Sequence, residues 1–167
     1  MKGKILFSAA VVFFSMLLSS AHAQIGEPES DSRVRNQLES LGLKYSMTDN
    51  GNYKVVFDMG EGRTQLVVIY SETYNYNGME VREITSTAMS TDDKRGFTQP
   101  TLFDLLERNQ TYKIGAWQIN GGTAPFILEF GIRMSANSSQ SVFDELIRLA
   151  ARMADELEQE LTSGDDH

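Results

Sequence analysis

Two apolar stretches, Tyr112 to Ile119 and Phe126 to Met134, flank Asn120, Gly121 and Gly122. Strand-like segments joined through Asn and Gly are a strong hairpin signal, so this half of the chain is committed to a β-sheet. Upstream, Tyr53, Val55 and Phe57 alternate with Lys54 and Asp58, the period-two pattern of a strand. Gly60-Glu61-Gly62 makes the next turn. Leu66 to Tyr70 is apolar throughout, which predicts a central strand covered on both faces. Beyond the break at Asn75, Asn77 and Gly78, a third strand runs from about Met79 to Met89. Its alternation slips near Glu83 and Ile84, where a bulge is expected.

Three helices frame these strands. Ser30 or Asp31 caps the first, with Val34, Leu38 and Leu41 on one face and Gly42 at its left-handed end. Pro100 opens a short second helix, with Leu102, Leu105 and Leu106 inward. It follows a polar loop from Ser90 to Gln99. Ser139 or Ser141 caps a long last helix, striped by Phe143, Leu146, Ala150, Met153 and Leu157. The expected order is α-β-β-β-α-β-β-α, an α+β domain with a five-stranded sheet.

The first residues read differently. Lys2 and Lys4 precede an apolar run from Ile5 to Leu18, and small residues follow at Ala21 and Ala23. These are the parts of a secretory signal, and the run is shorter than the roughly 20 residues a spanning helix needs. The expected layout is a signal peptide at 1–23, a flexible lead-in at 24–30, one domain at 31–161 and a disordered tail at 162–167. Cleavage after Ala23 leaves no stable membrane anchor and places the mature protein in a bacterial periplasm or the medium.

That cleavage also decides which chemistries remain. It removes Lys2, Lys4 and His22, leaving 13 basic side chains against 23 acidic, a formal −10. A surface this negative disfavours nucleic acid as a partner. The chain has no cysteine, and the mature part keeps only His167 at its end. Thiolate chemistry, a histidine triad and a histidine metal site are thereby excluded, and no cofactor is expected. The Gly60–Thr64 segment lacks the lysine of a phosphate-binding loop. Neither Asp49–Asn52 nor Asp92-Asp93 has the ligand spacing of a calcium loop. Glu129 is the suggestive acid, because it interrupts the apolar strand Phe126 to Met134. By alternation it shares a face with Ile127, Gly131 and Arg133, and a charge beside Arg133 needs no catalytic role.

One wider pattern stands out. A helix ends in Leu41-Gly42-Leu43-Lys44-Tyr45 and leads through a turn into strands; a short Leu-rich helix ends at Glu107-Arg108-Asn109, and Tyr112-Lys113-Ile114-Gly115 begins the next strand. From about Arg33 to Leu157 this resembles the YbjN family, candidate bacterial sensory-transduction regulators that share their fold with type III secretion chaperones. The resemblance implies an antiparallel sheet with helices against it, frequent homodimers, and protein binding or regulation without catalytic residues. The export signal departs from it, since secretion chaperones act in the cytosol.

Phe126, Leu128, Phe130 and Ile132 are expected on one sheet face, beneath the first and last helices. Val67, Ile69, Trp117, Ile119 and Ile127 are placed on the opposite face, which the second helix is too short to cover. Either the Ser90–Gln99 loop covers them or a protein or peptide partner does, a second copy included. The expectation is an exported, non-enzymatic binding or regulatory (chaperone-like) module. The alternatives are a small-molecule or lipid carrier with an apolar pocket, and a carboxylate-dependent hydrolase.

Overall fold

Residues 29–163 are described by the computed structural model; the expected leader, positions 24–28 of the lead-in and positions 164–167 of the tail lie outside them. The elements run α1 (Ser32–Ser40), β1 (Tyr45–Met47), β2 (Tyr53–Gly60), β3 (Arg63–Tyr76), β4 (Met79–Thr91), α2 (Gln99–Asn109), β5 (Ala116–Asn120), β6 (Phe126–Ser135) and α3 (Gln140–Ser163). A single 3-10 turn at Lys94–Gly96 precedes α2. One sheet takes the order β1-β2-β3-β4-β6-β5, with every neighbouring pair antiparallel.

The α+β class and the antiparallel sheet with helices against it are as expected. The sheet has six strands rather than five, so four strands precede α2. The extra one, Tyr45-Ser46-Met47, pairs only with β2 and is too short to show a period in sequence.

Local chemistry sets the boundaries. Asp31 caps α1 by accepting from the Arg33 backbone N–H, and Ser139 caps α3 through Val142 N. The β3–β4 hairpin turns on Asn77 and Gly78, both at positive φ, the geometry that matches strand twist. Register shifts fall between Asp58 and Gly60 on β2, between Ile69 and Thr73 on β3 and between Thr87 and Met89 on β4. At Glu83 and Ile84, where a bulge is expected, the pairing with β6 is unbroken, but the β3 irregularity lies opposite them, between the Ile69–Ile84 and Thr73–Arg82 pairs. The β3 bulge turns the carbonyls of Tyr70 and Ser71 toward the buried Arg82 guanidinium, which also donates to Asp31. Arg82 thus ties the α1 cap to the sheet.

The core lies on one side of the sheet. Phe143, Ile147, Ala150, Ala154 and Leu157 of α3 and Val34 and Leu38 of α1 pack onto Tyr53, Val55, Val67, Ile69, Ile84, Leu128, Phe130 and Ile132. Each such side chain contributes roughly 1.5 to 3 kcal/mol on burial, so this layer holds the fold. Phe97, from the loop before α2, joins the same core. Helix α2 seats Leu105 in it, but Leu106 is 61% exposed rather than inward.

Of the five residues expected together opposite Phe130, four share the face of Phe130 instead. Trp117 pairs with Phe130, Ile119 with Leu128, and Ile69 with Ile84 and Tyr53, so Val67, Ile69, Trp117 and Ile119 belong to the helix side. Val67 and Ile69 are fully buried there. Only Ile127 faces the other way. The reason is register, since a one-residue slip in pairing exchanges a strand's faces. Strand β3 is central but not covered on both faces, because Leu66 is 41% exposed on the side without helices.

Candidate functional site

Strand β5 borders the sheet and presents a different surface on each face. On the helix side, Trp117 and Ile119 meet α2 to form an apolar groove of about 180 Å3, lined by Leu102, Leu105, Leu106, Asn109, Trp117, Gln118, Ile119 and Leu128. Trp117 is 6% exposed and stacks edge-on against Phe130. Its buried indole N–H has no acceptor among the described residues, a state that costs free energy. Leu106 and Ile119 leave large apolar surfaces at the rim. Asn109 meets the outer border of β5: its Oδ1 accepts from Trp117 N at 2.8 Å and its Nδ2 donates to Trp117 O at 3.2 Å.

On the other face the same strand supplies Gln118, which lies over Gly131 of β6. A Cβ on residue 131 would stand 2.7 Å from Gln118 Cδ, so only glycine lets this carboxamide lie flat. From there Gln118 Nε2 donates to Glu129 Oε1 at 2.9 Å and to Glu83 Oε1 at 3.2 Å. Glu129 is only 3% exposed although no helix among the described residues covers this face. Burial pushes its carboxyl above the ordinary range, against the lowering bonds from Gln118, Asn120 and Thr85. Tyr70 beside it is raised by burial and then by the charge of Glu129. Glu129 shares its face with Ile127, Gly131 and Arg133, as the alternation implies. Arg133, however, pairs with Glu83 at 3.1 Å and not with Glu129.

A second polar cluster is structural. Asp31 receives Arg33 and Arg82, while Arg33 also pairs with Glu80 at 2.6 Å. Burial alone would raise the Asp31 carboxyl, but the bonds from Arg33 and Arg82 outweigh it and hold it well below the usual range. Glu80 is lowered to about 2, chiefly by Arg33. These residues stand beside an open, polar-lined cavity of about 790 Å3 that includes Ser30, Asp31, Asn52, Ser71 and Thr73.

Of the residues singled out in sequence, the structure brings Trp117 and Ile119 to the groove, buries Val67 and Ile69 beneath α3, and sets Ile127 on the helix-free face. Sequence reasoning missed Asn109, Gln118, Gly131, Glu83 and Tyr70. The available signal was Glu129 itself, an acid inside an apolar strand with a glycine two residues on. Among the described residues no group of three or more acids or histidines is placed to hold a metal, and no helix is long and apolar enough to cross a membrane.

No family model and no curated protein matches the chain. Among solved structures it is similar to YbjN, a candidate transcription regulator from E. coli, at a TM-score of 0.51 and 12% identity. The similarity covers 78% of this chain and 89% of that one. The chain therefore has a YbjN-like fold.

Proposed function

We propose that this protein is an exported, non-enzymatic regulatory module that grips a protein partner at the groove between α2 and β5. The groove carries the reading: an apolar floor, a rim of Leu106 and Ile119, and beneath them an indole donor without an acceptor among the described residues. Covering each rim side chain is worth up to roughly 1.5 to 3 kcal/mol. Because Asn109 already holds the main chain of Trp117, the partner does not add as a continuous strand. It inserts apolar side chains against Leu106 and Ile119.

Several observations support the rest. The Lys2–Ala23 segment has the parts of a secretory signal, which favours the periplasm or the medium. Residues 24–166 contain neither cysteine nor histidine, and Glu129 lines neither of the cavities above. The likeness to YbjN, described as a candidate transcription regulator, favours regulation, while the −10 mature charge favours a protein over nucleic acid. A lipid carrier fits less well, since the apolar groove falls below the roughly 300 Å3 at which ligand pockets begin.

Leu106→Glu and Ile119→Glu test the site without opening the core, unlike Trp117→Ala. Capture of the same partner from periplasmic extract should be lost with both variants while circular dichroism stays unchanged. Full capture by both would refute the assignment, and a wild-type dimer dispersed by both would identify the partner as a second copy.

A further inference from the structure

On the helix-free face, pairing aligns Val56 with Leu66, and Thr87 with Glu129 and then Gln118. Continuing the Val67–Ser86 pairing by one step sets Leu66 beside Thr87, so these side chains form one row from β2 to β5. The row changes character along its length. Val56 is 61% exposed and Leu66 41%, whereas Glu129 is a buried carboxylate. No ion pair reaches Glu129 among the described residues. The nearby cation, Arg133, is spent on Glu83 and touches only the Gln118 Oε1, at 3.4 Å. A single amide nitrogen, Gln118 Nε2, bridges both carboxylates, with Asn120 and Thr85 as the other donors to Glu129. A neutral amide is the weaker donor for that place; a charged donor makes bonds about twice as strong.

We propose that this face docks an amphipathic helix of a protein partner, which lays an apolar side chain on Val56 and Leu66. An arginine of that helix replaces the Gln118 carboxamide between Glu129 and Glu83. Arginine fits better than lysine because its planar fork can address two carboxylates at once. Geometry sets the spacing. β3 and β6 are two strand separations apart, about 10 Å, the distance between helical residues seven apart, roughly 10.5 Å. Gln118 is a surface side chain that can swing away without disturbing the core. This site lies across the sheet from the α2–β5 groove and stands independently of it.

The test uses a capped helical peptide with leucine and arginine seven residues apart, titrated into the protein by NMR. One control replaces arginine with citrulline; another moves it to five residues from the leucine, onto a different side of the helix. The arginine peptide should shift the Gln118 side-chain amide and lower the titration of the Glu129 carboxyl. Citrulline, the altered spacing and Glu129→Gln should each weaken binding at least about tenfold, while Leu106→Glu leaves it unchanged. Equal binding of arginine and citrulline peptides, or no Gln118 shift at millimolar peptide, overturns the proposal. So does binding lost in Leu106→Glu, or self-association abolished by Leu66→Lys, which would assign the face to a second copy.

Discussion

Replacing Gly131 with alanine probes the Glu129 site with one methyl group. The new Cβ would stand 2.7, 2.8 and 2.9 Å from Gln118 Cδ, Nε2 and Oε1. Residue 131 pairs regularly with Thr85 and Ala116, so the strand accepts alanine, and the side chain of Gln118 must lift. Its bonds to Glu129 at 2.9 Å and Glu83 at 3.2 Å are then lost. A hydrogen bond to a charged group contributes about 1.5 to 3 kcal/mol. Alanine returns about 0.5 to 1 kcal/mol relative to glycine in a strand. The two bonds leave one nitrogen and count as one, so the net loss is about 0.5 to 2.5 kcal/mol, or about 2 to 8 °C in melting temperature for a domain of this size. Calorimetry measures that loss, and carboxyl NMR should find Glu129 titrating still higher once its donor has gone. In a Gln118→Ala background those three contacts are gone and the same change becomes stabilising, a sign reversal that a double-mutant cycle resolves. A variant as stable as wild type, with Glu129 titrating unchanged, would refute the cradle.

Further perturbations address the rest of the molecule. Arg82→Met strands the Tyr70 and Ser71 carbonyls and part of Asp31, and should cost about 3 to 5 kcal/mol in urea unfolding; a loss below about 1 kcal/mol contradicts the tie between α1 and the sheet. Gly115 sits at φ +79° with a would-be Cβ 2.4 Å from the buried Phe130 ring, so Gly115→Ala should cost about 3 kcal/mol or more and yield little soluble protein. Glu129 is a carboxyl raised by folding, so its favourable contribution is complete below 4.5 and lost as pH rises through the folded value. Glu129→Gln should therefore melt higher than wild type at pH 7.5 and converge with it below pH 4.5; a lower melt at pH 7.5 opposes this. Glu80 is lowered from 4.5 to about 2, so its contribution is present above 4.5 and lost as pH falls toward 2. Arg33→Ala should flatten that part of the acid-unfolding curve, and an unchanged curve would count against the pair.

Much of this architecture is legible in the residues. The turn at Asn77-Gly78, the Gly42 helix end and the Ser139 cap each carry a local rule, and each element follows from it. The stripe from Phe143 to Leu157 likewise marks one face of α3 without reference to its neighbours. What sequence leaves open is pairwise. Which face of β5 meets which face of β6 depends on register, and that alone moved Trp117 and Ile119 to the helix side. Arg82 reads as one more charge on a β-branched strand, because its partners lie 11 and 51 positions away, in a bulge and in a helix cap. The Glu129 site was half visible. The acid stood out, but Gln118 and Gly131 acquire meaning only when β5 lies beside β6.

The bonds between Asn109 and Trp117 have a consequence for the protein in crowded solution. An antiparallel sheet with an open border invites further strands, and chains that present such borders to one another grow into fibres. Here the last residue of a helix supplies, at Trp117, the donor and acceptor that an incoming strand would otherwise provide, and at the opposite border the three residues of β1 cover Tyr53 to Val55. Both growing ends are thus blunted without covalent cross-links, which a chain lacking cysteine cannot form.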